Sequence, residues 1–175
     1  LRTSRGLGDV YKRQLIRGKN LVGYKPYSDE IVKAFIEKSS RNGIDVFRTF
    51  DALNDFSNIE LSIKEVKKNG MHAQGAMAYT VSPVHTLNSW LDLAKQIEDA
   101  GADSVAIKDM AGLLKPNAAF ELVSELKQNI SIPVHMQTHA TTGFSTATNM
   151  TAIEAGIDNI DTSISSMSMT YGHPA

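Results

Sequence analysis

Four glycines cut this chain into units of one size. They stand in Asn42-Gly43-Ile44-Asp45-Val46, Asn69-Gly70-Met71-His72, Ala100-Gly101-Ala102-Asp103-Ser104-Val105 and Ala155-Gly156-Ile157-Asp158-Asn159-Ile160. In each, a helical stretch stops and a short apolar strand begins. Glycine suits the left-handed position that ends a helix, where a side chain would be strained. The four are 27, 31 and 55 residues apart. The last gap spans two units, and its missing junction falls at Ile130-Ser131-Ile132-Pro133, where proline does the breaking. A period near 30 residues is that of one βα unit.

Between the junctions the spacing predicts helices over 28–41, 57–68, 87–100, 116–127 and 145–155, the fourth opened by Pro116. Strands are predicted over 14–17, 45–50, 73–80, 104–108, 134–139 and 159–164. Regular alternation of this kind argues for the α/β class, with a parallel sheet and helices outside it. A closed (β/α)8 TIM barrel takes eight such units and about 250 residues. The 175 residues here supply about six units, so an incomplete barrel is expected. A doubly wound sheet is the alternative, but the glycine-rich phosphate turn that would support it is absent.

Residues 1–14 (LRTSRGLGDVYKRQ) are basic, glycine-containing and without periodicity. They read as a leader foreign to the fold, leaving 15–175 as the partial barrel. Lys plus Arg (18) nearly balance Asp plus Glu (19), so charge gives no argument for nucleic acid or an anionic membrane. Cysteine is absent, which removes disulfides, thiolate-held zinc and thiol nucleophiles and fits a cytoplasmic setting. No apolar run approaches 18 residues, so no membrane span is expected.

Chemistry is expected at the strands' C-terminal ends, where barrels of this kind carry it. Ala106-Ile107-Lys108-Asp109-Met110-Ala111-Gly112 places Lys108 at such an end. Lys108 is either a solvated loop lysine or a desolvated amine able to form a Schiff base or take up carbon dioxide. His135, Gln137 and His139 alternate along one strand and share a face, either as a hydrogen-bonded polar layer or as part of a metal site. Arg48 is a cation inside Val46-Phe47-Arg48-Thr49-Phe50-Asp51 and must face a protein carboxylate or an anionic substrate. Tyr79 and Thr80 close another strand with two hydroxyls that could orient substrate. Met150, Met167 and Met169 read as packing.

Four segments together resemble the carboxyltransferase domain of biotin-dependent enzymes, the family of the oxaloacetate decarboxylase α subunit, pyruvate carboxylase and the transcarboxylase 5S subunit. They are Leu15-Ile16-Arg17-Gly18-Lys19-Asn20-Leu21-Val22-Gly23-Tyr24, the run from Gly43 to Asn54, the run from Ile107 to Pro116, and Thr138-His139-Ala140-Thr141-Thr142-Gly143. The stretches Ala140-Thr141-Thr142-Gly143 and 161–173 are most similar to the decarboxylase α subunit.

The resemblance implies that the two absent barrel units are the first two. It implies a divalent metal (zinc, manganese or cobalt) held by an aspartate after the first barrel strand, which lies in the absent units, by a carbamylated lysine at Lys108, by His139, and by a histidine whose place is taken here by Gln137. An amide oxygen is a poorer zinc ligand than imidazole. Arg48 takes the place of a pyruvate-binding arginine. The implied reaction moves a carboxyl group between oxaloacetate or pyruvate and biotin on a separate carrier domain, within a homo-oligomeric parent enzyme. A metal-dependent aldol or Claisen-type lyase on a related barrel, and an inactive fragment, are the alternatives.

Overall fold

The computed structural model describes residues 11–175. The leader expected over 1–14 lies mostly outside these residues, and the first strand takes in Arg13 and Gln14 from its end. Six strands alternate with five helices: β1 (Arg13–Ile16), α1 (Asp29–Arg41), β2 (Val46–Phe50), α2 (Phe56–Lys68), β3 (His72–Ala78), α3 (Leu87–Asp99), β4 (Ser104–Asp109), α4 (Pro116–Asn129), β5 (Val134–Thr138), α5 (Ser145–Glu154) and β6 (Asn159–Ile160). All neighbouring strands are parallel and their order is β1-β2-β3-β4-β5-β6. A doubly wound sheet reverses its strand order, whereas this one never does. The order is that of a barrel wall.

Helix ends follow local chemistry. Asp55 and Thr86 cap α2 and α3 by accepting from the backbone N–H of Ser57 and Ser89. Pro116 opens α4, where a missing N–H costs nothing. Gly43, Gly70, Gly101 and Gly156 all have positive φ, as the repeat predicted.

Period-two alternation sends the two faces of each strand to different surroundings. Phe47, Met77, Val105, Ile107, Val134 and Met136 point outward and are buried against apolar stripes of the helices, including Ile36, Ile63, Ile97 and Leu126. The opposite face is interior and contains few large apolar side chains. Its rows follow from the register: Leu15, Arg48, Gln74 and Ser104 align, then Phe50, Ala76, Ala106 and His135, then Ala78, Lys108 and Gln137. The sheet curls around this face, because Arg48 of β2 and Arg13 of β1 both reach Asp161, just past β6.

Two strands stop two or more residues before their predicted ends. β3 stops at Ala78 because the Asn54 side chain takes over its pairing, accepting from the Ala78 N–H (2.8 Å) and donating to its carbonyl (3.0 Å). Past β6, Asp161 adds one bond from its N–H to the Met136 carbonyl before the chain turns away.

Sheet and helix layer come into close contact at Gly75, where an added Cβ would stand 2.4 Å from Ile97 Cγ2 of α3. Gly75→Ala should therefore lower stability by about 1–3 kcal/mol through overpacking. Urea denaturation checks this, and an unchanged midpoint would show that α3 can move away at little cost.

Candidate functional site

The interior face carries two polar layers separated by a small apolar one. The lower layer is ionic. Arg48 is 3% exposed, donates from Nη1 to Asp161 Oδ2 at 2.6 Å and from Nε to Gln74 Oε1 at 2.5 Å. Its Nη2 is buried and has no hydrogen-bond partner among the described residues. The other Asp161 oxygen accepts from Arg13 at 2.8 Å and lies 2.8 Å from His135 Nε2. Burial opposes ionisation of Asp161, yet the His135 hydrogen bond, the Arg48 charge and the Arg13 hydrogen bond outweigh it and hold the carboxyl far below the usual range. Of the two partners left open for Arg48, the structure supplies the protein carboxylate. Phe50, Ala76 and Ala106 form the small apolar layer above, with Ala78 of the next row packed against them.

The upper layer lies at the C-terminal ends of β4 and β5. Lys108 is 7% exposed and donates from Nζ to Gln137 Oε1 at 3.0 Å, with the Phe50 ring 5.3 Å away. Its hydrogen-bond partner is neutral, so among the described residues no counter-charge in contact offsets its burial. Burial first, then the nearby Arg48 charge, pulls its pKa down to about 8; Asp161 opposes the change, while Arg13 and Arg17 add to it. Of the two sequence readings of Lys108, the desolvated amine is the one found.

His139 follows β5 on the same face. Its Nδ1 lies 2.6 Å from the Tyr171 carbonyl, which can only accept, so Nδ1 carries the proton and Nε2 keeps a free lone pair. Metal-binding histidines are commonly oriented by such a bond. Among the described residues no three His, Asp or Glu side chains come together as a metal cluster. The candidate donors are of mixed type: a lysine, an amide and imidazole.

Tyr79 is not in this site. It has the parity of Met77, faces the helix layer and stacks on Trp90 of α3 with centroids 5.5 Å apart. As a substrate contact it is corrected to a packing residue. Thr80 has the parity of Ala78 and is half-buried at the interior's rim. Asp109 faces away from Lys108 and accepts from the N–H groups of Leu113 (2.8 Å) and Leu114 (2.9 Å), which shapes the loop after β4.

Sequence reasoning did not single out Arg17, Asp161 or His173. Arg17 follows β1, two residues beyond Leu15, which pairs with Arg48, and its parity with Leu15 was the available signal. It is exposed, has the Tyr24 ring 4.9 Å from its guanidinium, and its charge reaches Lys108. His173 packs on His139 with ring centroids 4.9 Å apart.

A curled wall of parallel βα units with its reactive groups at the C-terminal strand ends is the architecture of a barrel enzyme. The profile of the HMGL-like family matches residues 30–172, and the chain belongs to that family. It is 50% identical over 162 residues to a pyruvate carboxylase subunit of Methanocaldococcus jannaschii, covering 93% of this chain and 29% of that protein. With the methylmalonyl-CoA carboxyltransferase 5S subunit of Propionibacterium freudenreichii it shares 49% identity, over 99% of this chain and 35% of the relative. The carboxyl transferase domain of Rhizobium etli pyruvate carboxylase, solved with pyruvate, superposes with a TM-score of 0.92 at 37% identity, over 94% of this chain and 29% of that one. The same domain was also solved with pyruvate and biocytin. The chain thus spans about a third or less of the length of these relatives.

Each polar layer should leave its own mark on stability. Asp161→Asn should cost about 3–5 kcal/mol by stranding the buried Arg48 charge. In the unsubstituted chain the stabilisation from Asp161 is present above the unfolded carboxyl pKa of about 3.9 and is lost as pH falls below it. Lys108 acts in the opposite range. Its folded amine loses its proton near pH 8, whereas the unfolded one holds it to about 10.4, so stability should rise with pH across that window. Lys108→Met should abolish the rise in urea denaturation midpoints; a rise that persists would mean another group titrates there.

Proposed function

We propose that this chain forms the catalytic wall of a biotin-dependent carboxyltransferase that moves a carboxyl group between a 2-oxo acid, oxaloacetate or pyruvate, and biotin on a separate carrier domain. The observation that carries this reading is Lys108: a buried amine beside a neutral amide, at the strand ends, with cations around it. The neutral amine is the form that adds carbon dioxide to give a carbamate, and desolvation favours that form. The matches to pyruvate carboxylases and to the transcarboxylase 5S subunit support the substrate class.

The arginines divide the anionic substrate between them. Arg48 is already paired with Asp161, and Nη2 is the guanidinium nitrogen left without a partner among the described residues. Arg17 has no carboxylate partner among the described residues and stands at the rim, so it is the better holder of the 2-oxo acid's carboxylate. Phe50, Ala76 and Ala106 leave an apolar floor of small side chains against which the methyl or methylene group can rest. The divalent ion implied by the family fits donors of the upper layer, with a carbamate on Lys108, Nε2 of His139 and Oε1 of Gln137 as candidate ligands. When bound, such an ion supplies Lewis-acid stabilisation of the enolate charge. Oxaloacetate decarboxylase is the preferred parent, cytoplasmic and homo-oligomeric.

Transfer of carboxylate from oxaloacetate to biocytin, followed as pyruvate release by the full chain, is the direct assay. Lys108→Ala should lower the rate by about 10²–10³-fold, the usual cost of removing a group that acts where charge develops. Full activity in that variant, or cleavage of acyl-CoA substrates with no response to biocytin, would overturn the reading.

A further inference from the structure

Gln137 leaves the upper layer one imidazole short, and a second imidazole stands beside it that the strand pattern did not provide. We propose that His173 supplies this missing ligand, so that the divalent ion is held by His139, His173 and the carbamate of Lys108. The proposal rests on the metal-dependent carboxyltransferase reading above.

Both rings are held in one tautomer. His173 Nδ1 lies 3.0 Å from the Thr138 carbonyl, and His139 Nδ1 lies 2.6 Å from the Tyr171 carbonyl. A carbonyl only accepts, so both rings carry their proton on Nδ1 and keep the Nε2 lone pair free. Two imidazoles fixed in the same tautomer by backbone carbonyls are prepared as ligands in the way that outer-sphere partners usually achieve.

The ring spacing agrees with a shared ion. With metal–nitrogen bonds of about 2.0–2.1 Å, each ring centroid stands roughly 3.2 Å from the ion, and two rings at octahedral to tetrahedral angles stand roughly 4.5–5.2 Å apart. The observed centroid separation is 4.9 Å with the planes tilted by 46°. Stacking alone requires no such tautomer match.

His173 is also held in place. The Ala140 N–H donates to the Gly172 carbonyl at 2.8 Å, the Met169 N–H to the His173 carbonyl at 2.7 Å, and the Ser163 N–H to the Pro174 carbonyl at 2.9 Å. Met169 and Thr170 sit at φ 68° and 57°, so the chain doubles back sharply and returns His173 to the end of β5. By contrast, the Gln137 oxygen is already engaged by Lys108 Nζ.

Cobalt(II) titration of the full chain in the presence of bicarbonate tests the assignment, read by the visible absorption of the bound ion and by competition with a chelator. His173→Asn keeps a donor for the Thr138 carbonyl while removing the Nε2 lone pair. It should weaken cobalt by about 100-fold or more, at or beyond the upper end of outer-sphere effects, and change the absorption bands. Adding Gln137→His to His173→Asn should restore both affinity and band intensity, a recovery that a merely structural role for His173 does not predict. Unchanged affinity and bands in His173→Asn would overturn the assignment while leaving the carboxyltransferase reading intact. Failure of every form, including Gln137→His alone, to bind cobalt would overturn the assignment together with the metal reading.

Discussion

A guanidinium and a carboxylate 113 residues apart in sequence meet inside the curled sheet, and the interior is organised around that meeting. Arg48 cannot be buried without a counter-charge, and the only way β2 finds one in Asp161 is for the wall to bend until the region past β6 comes back across from it. The pair therefore ties the first half of the described sheet to its end. It also leaves Lys108 above a layer whose single carboxylate is already shared by two arginines, so the lysine gains no counter-ion from beneath. The ionic lower layer and the depressed amine above it are two results of one arrangement.

The architecture was legible in the sequence because its signals are local. A glycine at each helix end and an apolar run after it report on a few neighbouring residues, and the five helices and six strands fall where the repeat put them. Lys108, Gln137 and His139 were legible for the same reason, since position at a strand end and parity along β5 follow from counting. Tyr79 shows the limit of proximity without parity: it ends the β3 region as expected, but counting from Met77 sends its ring toward Trp90. The partner of Arg48 was not legible, because the choice between protein and substrate anion depends on a contact made across the whole sheet. His173 was hidden differently. Its place depends on a turn through Met169 and Thr170, two non-glycine residues with positive φ that no propensity argument would put there.

Under the proposed assignment of His173, the site changes one member at Gln137. A strand position is fixed by register, so a residue lost at 137 cannot be replaced from 135, which lies one pleat repeat deeper and is engaged with Asp161. A loop is not bound by that period. The segment after β6 approaches the end of β5 from outside the ladder, and its hydrogen bonds to Thr138, Ala140 and Ser163 set its side chains without reference to strand parity.

The rim of the wall is fastened from loop to loop. Asn54 after β2 closes on Ala78 of β3, and Thr142 after β5 donates to the Gly112 carbonyl after β4, where an added Cβ would press on the His139 carbonyl. Thr148 of α5 donates to the Leu114 carbonyl in the same loop. These clasps tie the connection after β2 to β3 and the connection after β4 to the one after β5, so these parts of the mouth move together more than as separate lids. A small anion entering it has few chain segments left to order, and the free energy that loop closure would otherwise consume stays available for holding the substrate.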